Sequence, residues 1–283
     1  MERYIRFNHN NKIRYGLLKG TMVSELLGDE YPDFKVSGIE YELSTVKLLA
    51  PCTPTKAVCV GLNYKDTILE PGARWPVEPL LFIKPSTSVL DPGESIIKWP
   101  MTDDLAFEAE LAIVIGKKAH LVSEDEAHKY IWGYTIANDV TAKDLQKTDG
   151  LWARSKSFDT FLPLGPWITS GIDAHNLIIT SFVNGQPKQK GNTADLIFGI
   201  EYLVSFISHI TTLLPGDVIL TGTPGGYGSS FNVNDEVEIE ITAIGKLTNH
   251  CKRCTEIWNR EPRHESILSD TNTSVAGEME IVV

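Results

Sequence analysis

Glu108 and Glu110 stand two residues apart in FEAELAIVIGK, and Asp139 closes a later apolar run, WGYTIAND. Side chains alternate between the faces of an extended strand, so carboxylates at i and i+2 point the same way and repel unless a cation lies between them. Asp139 reaches the same spot if its strand pairs beside theirs. Three carboxylates with no histidine or cysteine nearby specify a hard ion, Mg2+ or Mn2+ or else Ca2+, whose remaining positions stay open to water and substrate. The same E-x-E pattern also suits the solvent face of a half-buried strand, and spacing alone leaves both readings open.

Residues 107–115 put Phe107, Ala109, Leu111, Ile113 and Ile115 on one face and Glu108, Glu110, Ala112 and Val114 on the other, which predicts a strand. Residues 132–140 predict a second. The short apolar run 57–60 predicts a buried strand that delivers Gly61-Leu62-Asn63-Tyr64 to a site. The breakers in LEPGARWPVEP, residues 69–79, exclude a long helix and mark a candidate lid, with a helical turn around residues 65–69. Residues 123–130 predict a helix in which Ser123 caps and Glu126 completes a capping box. Helical spacing across residues 194–214 (Ile200, Leu203, Val204, Ile207) stops at Pro215-Gly216-Asp217. A strand over 218–221, a glycine-rich segment 222–228 and an alternating run 233–244 follow.

These elements imply an α+β, β-rich fold. Residues 1–50 carry short alternating runs that suit a small N-terminal β domain, residues 51–250 hold the elements around the carboxylates, and residues 251–283 turn polar like a loosely held tail.

The chain has 283 residues and a formal net charge of −11 with a pI near 5.1, a field that repels phosphate backbones, so nucleic acid is not an expected partner. Its apolar runs stay below the ~18 residues a membrane span needs, and MERYIRFNHNNKIRYG lacks the apolar core of a secretory signal. The reading is a soluble protein in the cytoplasm, with an organelle still open. Cys52, Cys59, Cys251 and Cys254 do not form a disulfide framework, and the single C-x-x-C at 251–254 has no second pair with which to build a zinc ribbon. Neither a P-loop nor a dinucleotide fingerprint is present.

Six segments in order, CVGLNYKD, PLLFIKPSTSV, FEAELAIVIGK, GYTIANDVTAKDLQ, SKSFDTFLPLGPW and PGDVILTGTPGGYG, resemble the fumarylacetoacetate hydrolase family, in particular its domain-containing-protein branch. The resemblance implies a mixed β-roll with the site at its mouth, a homodimer, and a small-molecule 2-oxo acid or 1,3-dicarbonyl substrate. It also implies that Glu108, Glu110 and Asp139 hold Mg2+ or Mn2+. Lys156 matches the family lysine beside the metal, where an ammonium can stabilise an enolate or carboxylate oxygen. Thr223 matches the threonine that offers its hydroxyl and neighbouring backbone to a substrate carboxylate, and Gln146 a substrate-facing glutamine.

Two positions depart from the family pattern. Hydrolases of this family read N-Y-x-x-H-x-x-E on the lid, whereas here Thr67 stands at the histidine position and only Glu70 survives of the dyad. Threonine is no base near neutral pH, and a lost general base costs about 10²–10⁴ in rate. Lys143 replaces an arginine that grips a substrate carboxylate, which keeps the charge and loses the bidentate fork. Family frequency favours a metal-dependent hydrolase of carbon–carbon bonds in which Glu70 moves a proton. Thr67 favours instead an oxaloacetate-type tautomerase or decarboxylase. A catalytically silent metabolite-binding relative is the reading of another class, and three crowded carboxylates argue against it.

Overall fold

The computed structural model describes residues 1–28, 34–67, 75–226 and 229–255. Glu70, most of the candidate lid and the chain from residue 256 onward lie outside the described residues.

The main sheet has twelve strands. Its path begins with the hairpins formed by Lys35–Glu42, Met22–Leu27, Lys12–Lys19 and Glu2–His9. It continues through Leu162–Ser170, Ile131–Asn138, Ala109–Ile115, Val218–Leu220 and Lys56–Gly61 to the edge strand Leu80–Pro85. The N-terminal hairpins are thus welded to the rest, because Glu2 to Tyr4 pair antiparallel with Ser170 to Ile168. A five-stranded sheet (Gln186–Asn192, Ile178–Val183, Glu236–Ile241, Gly245–Arg253, Ser95–Lys98) covers one face. A small sheet joins Thr141–Ala142, Leu105–Phe107 and Ser229–Phe231.

Strand Ala109–Ile115 is buried along its whole length. Leu111, Ile113 and Ile115 pack with Leu203, Val204 and Ile207 of helix Ile200–Ile210 and with Ile179 and Ile239 of the second sheet. Ala112 and Val114 pack on the opposite side with Ala57, Cys59, Leu164 and Leu220. The alternation of this strand therefore separates two cores, and its even-numbered face is not a solvent face. Full burial of each large aliphatic side chain contributes roughly 1.5–3 kcal/mol, so the strand is held from both sides.

Three local expectations shift. Residues Glu124–Tyr130 form a 3-10 helix, and Ser123 makes no side-chain cap. The Glu126 amide bonds the Ser123 carbonyl at 3.2 Å instead, and its carboxylate takes Lys129 at 2.5 Å. The helix of residues 194–214 shortens to Ile200–Ile210, preceded by a 3-10 turn Thr193–Asp195 that the Asn192 side chain caps. Strand Gly245–Arg253 runs past residue 251, where the polar tail was expected, and buries Cys251. Among the described residues no helix is long and apolar enough to cross a membrane.

Candidate active site

Glu108 sits at a seam. Leu105–Phe107 belongs to the small sheet and Ala109–Ile115 to the main one, so the backbone changes partners at this residue. Its N–H donates to Asn138 Oδ1 at 3.2 Å, and its carbonyl accepts the Asp139 N–H at 2.9 Å. Because Ala109 pairs with Asn138 in the antiparallel ladder, Asp139 falls beside Glu108 at the ends of adjacent strands. The carboxylates of Glu108, Glu110 and Asp139 each offer an oxygen within 4.8 Å of the others. This donor set, oxygen only and largely buried, fits a hard divalent cation.

Two lysines flank the trio. Lys156, from the short helix Trp152–Lys156, donates to Glu108 Oε2 at 2.8 Å and Asp139 Oδ2 at 2.7 Å. Its ammonium also lies 5.1 Å from the centre of the Phe82 ring. Lys84 donates to Asp139 Oδ1 at 2.6 Å and to the Val140 carbonyl at 3.0 Å. Phe82 and Lys84 stand two apart on the edge strand Leu80–Pro85 and share the face turned to the site, while Ile83 between them is exposed.

The electrostatics follow from this crowding. Burial, and then Asp139 and Glu108, push the Glu110 carboxyl well above its ordinary range. Burial also raises Glu108, with Lys156 opposing it. Burial works on Asp139 in the same direction, but Lys156 and Lys84 outweigh it and hold that carboxyl below its ordinary value. Lys84 itself is pulled down by burial against the attraction of Asp139. If all five groups are ionised the cluster carries one negative charge, which a doubly charged cation would reverse to one positive.

The glycine-rich segment closes the site. Gly222 N–H donates to Glu110 Oε2 at 2.6 Å. Its φ of +99° and the 2.9 Å approach of an added Cβ to Asn63 leave no room for another residue. Asn63 locks this corner, accepting from Phe198 N–H at 2.8 Å and donating to the carbonyls of Thr221 at 2.8 Å and Phe198 at 3.1 Å. Thr223 donates its hydroxyl proton to the Ala109 carbonyl at 2.9 Å. That proton, expected from the family resemblance to serve a substrate carboxylate, is already committed.

A cavity of about 120 Å³ opens here, and Glu108, Glu110, Asp139, Lys143, Gln146, Lys156 and Thr223 all line it. The structure thus brings together every candidate site residue that it describes; Glu70 alone lies outside. Lys143 and Gln146 come from helix Lys143–Asp149. Thr67 also lines the cavity and donates its hydroxyl to the Tyr64 carbonyl at 2.6 Å. Among the described residues no histidine lines the cavity. Sequence reasoning missed Lys84, although a lysine at inward parity in LLFIKP was a signal for it.

A family profile described as fumarylacetoacetate (FAA) hydrolase C-terminal matches residues 56–252. The chain belongs to the fumarylacetoacetate hydrolase family. A second profile, Rv2993c-like N-terminal, matches residues 2–51. Among its family relatives, the chain is 42% identical over 217 residues to the mitochondrial oxaloacetate tautomerase Fahd2a of Rattus norvegicus, covering 73% of this chain and 69% of that one. A 2-hydroxyhepta-2,4-diene-1,7-dioate isomerase from Mycobacterium marinum superposes with a TM-score of 0.84 at 37% identity, covering 90% of this chain and all of that one. A maleylpyruvate hydrolase from Sphingobium sp. SYK-6, solved with manganese(II) and pyruvate, superposes with a TM-score of 0.72 at 25% identity, covering 89% and 99%. The family's enzymes thus include hydrolases, isomerases and tautomerases, and the β-rich fold expected from the motifs is the one observed.

Proposed function

We propose that this chain is a divalent-metal-dependent enzyme that interconverts the keto and enol forms of a 2-oxo acid of the oxaloacetate type. One observation carries the choice of reaction. Thr67 stands at the cavity wall with its hydroxyl turned to Tyr64, and no histidine among the described residues is there to activate water. Enolisation needs no activated water, only removal of a proton from C3 and delivery of one to the oxygen on C2, so atoms balance without a co-reactant.

Glu108, Glu110 and Asp139 would hold Mg2+ or Mn2+, which supplies Lewis-acid polarisation of the 2-oxo group. The manganese and pyruvate bound by the maleylpyruvate hydrolase support this choice of ion and of ligand class. Lys156 uses two of its three N–H groups on Glu108 and Asp139 and keeps the third for an oxygen that gains charge at C2. Lys143 offers a second cation to the distal carboxylate, and Gln146 orients it beside the same wall. Phe82 and Trp152 border the ammonium and limit water around it, which strengthens its attraction for a developing enolate. Glu70 is the carboxylate assigned to move the proton.

The likeness to the rat oxaloacetate tautomerase supports this reading over cleavage of a carbon–carbon bond. Hydrolysis by way of Glu70 alone is the second reading. The test follows enol absorbance and products with oxaloacetate, an acylpyruvate and fumarylacetoacetate in Mg2+ and Mn2+. Ion-dependent acceleration of oxaloacetate enol decay without release of CO2 is the expected result. Comparable cleavage of the acylpyruvate would instead establish the hydrolase, CO2 release a decarboxylase, and ion binding without any turnover a silent relative.

A further inference from the structure

Gln189 lies in strand Gln186–Asn192 of the five-stranded sheet, behind the cavity wall and outside all six motifs. It is only 3% exposed. Its Oε1 accepts from the Ala109 N–H at 3.1 Å and the Ser181 hydroxyl at 3.2 Å. Its Nε2 donates to Thr223 Oγ1 at 2.8 Å and to the Pro224 carbonyl at 3.0 Å. A carboxamide accepts two bonds and donates two, so this one is saturated. The Ala109 amide can only donate and the Pro224 carbonyl can only accept, which leaves the side chain one orientation.

That orientation sets the threonine. Because Nε2 donates to Thr223 Oγ1, the hydroxyl proton must point elsewhere, and the Ala109 carbonyl at 2.9 Å takes it. Ala109 is the residue between Glu108 and Glu110, so its N–H is held by Gln189 and its carbonyl by the threonine that Gln189 orients.

We propose that Gln189 is a positioning residue of the keto-acid site, fixing the Thr223 hydroxyl so that this oxygen can only accept a hydrogen bond from a group in the cavity. The inference rests on the reading of the cavity given under Proposed function. It makes the partner of Thr223 a donor, such as the enol hydroxyl or a bound water, and leaves the substrate carboxylates to Lys143 and Gln146.

The test is a double-mutant cycle of Gln189→Glu and Thr223→Val, read as kcat and KM for oxaloacetate and as calorimetric affinity, with Mn2+ present, for glycolate, a 2-hydroxy acid whose hydroxyl can donate to Thr223. Gln189→Glu retains acceptors for Ala109 and Ser181 and loses both donors. It should reduce kcat/KM and glycolate affinity about tenfold, the effect of one misdirected hydrogen bond, in the wild-type background. With Val at position 223 the same change should cost less than about twofold, since the group it acts through is gone. Equal losses in both backgrounds, or none in either, overturn the proposal. Should Gln189→Glu fail to fold, Gln189→Met in the same cycle makes the decision. Glycolate binding separates the two inferences: absent turnover of any keto acid removes the proposed reaction, while the coupling in glycolate affinity still judges Gln189.

Discussion

Lys84 donates to Asp139 Oδ1 at 2.6 Å, and neither side chain has any surface open to solvent. Lys156 takes the other oxygen of the same carboxylate. Asp139 therefore enters the site already gripped by two ammoniums, while Glu110 has only the Gly222 amide among the described residues. This asymmetry explains why one carboxyl of the trio is held down and another is pushed up. A cation arriving at the cluster finds its strongest unmet negative potential on the glutamate side.

Replacing Lys84 by Met leaves Asp139 with one ammonium in a buried setting. Breaking a buried pair in this way costs about 3–5 kcal/mol, to be read from chemical denaturation of the two proteins side by side. Added Mg2+ should narrow the gap, because it restores positive charge beside Asp139. A gap that ignores Mg2+ would mean the ion does not bind at this cluster.

Glu110→Gln preserves an oxygen for the Gly222 N–H and removes the charge. Calorimetric titration should show Mg2+ and Mn2+ affinity reduced at least about tenfold, since even partners outside the ligand set are worth that much. Circular dichroism should remain that of the wild type. Unchanged ion affinity would remove Glu110 from the ligand set.

Thr67→His places an imidazole on the cavity wall beside the glycine-rich loop. Cleavage of an acylpyruvate should rise toward the factor of about 10²–10⁴ that general-base catalysis supplies. No gain would show that the threonine is not what withholds hydrolysis. The substitution also removes one of the two hydrogen bonds that residue 67 donates to the Tyr64 carbonyl, so its melting temperature should be measured alongside.

Asp217 predicts the acid limit of stability. Its Oδ1 accepts from Thr55 N–H at 2.9 Å and the Thr55 hydroxyl at 2.7 Å, and its Oδ2 accepts from Lys56 Nζ at 2.5 Å and Leu214 N–H at 2.9 Å. Burial opposes the charge, yet Lys56 and these donors hold the carboxyl below its ordinary value. Its contribution is therefore complete above about pH 3.9, the unfolded value, and is lost as pH falls through the lower folded one. Asp217→Asn should cost about 3 kcal/mol at pH 7 and flatten the acid end of the stability profile. Urea midpoints from pH 7 to 3 check both effects.

The carboxylate pair was legible because a strand's period of two relates Glu108 to Glu110 without knowledge of the fold. Asp139 followed from the end of a neighbouring strand, Lys156, Lys143, Gln146 and Thr223 were named through motifs, and the cavity gathers them from separate elements. Period alone could not decide whether residues 107–115 faced water, since burial of the even face depends on Ala57, Cys59, Leu164 and Leu220 arriving from elsewhere. The capping box failed for a similar reason: Ser123 and Glu126 have the right spacing, but the turn closed as a 3-10 helix with Lys129 as the glutamate's partner.

The sequence by itself determined which residues carry charge, which lie on one face of a strand, and that Thr67 stands where a base would be. Only the tertiary structure decided that Lys84 and Gln189 contact residues of the same site, because each reaches Asp139, Ala109 or Thr223 from a strand more than 30 residues away in sequence. Spacing governs neighbours within one element, whereas contacts between elements are chosen by which faces exclude water together, and that choice is made by the whole chain.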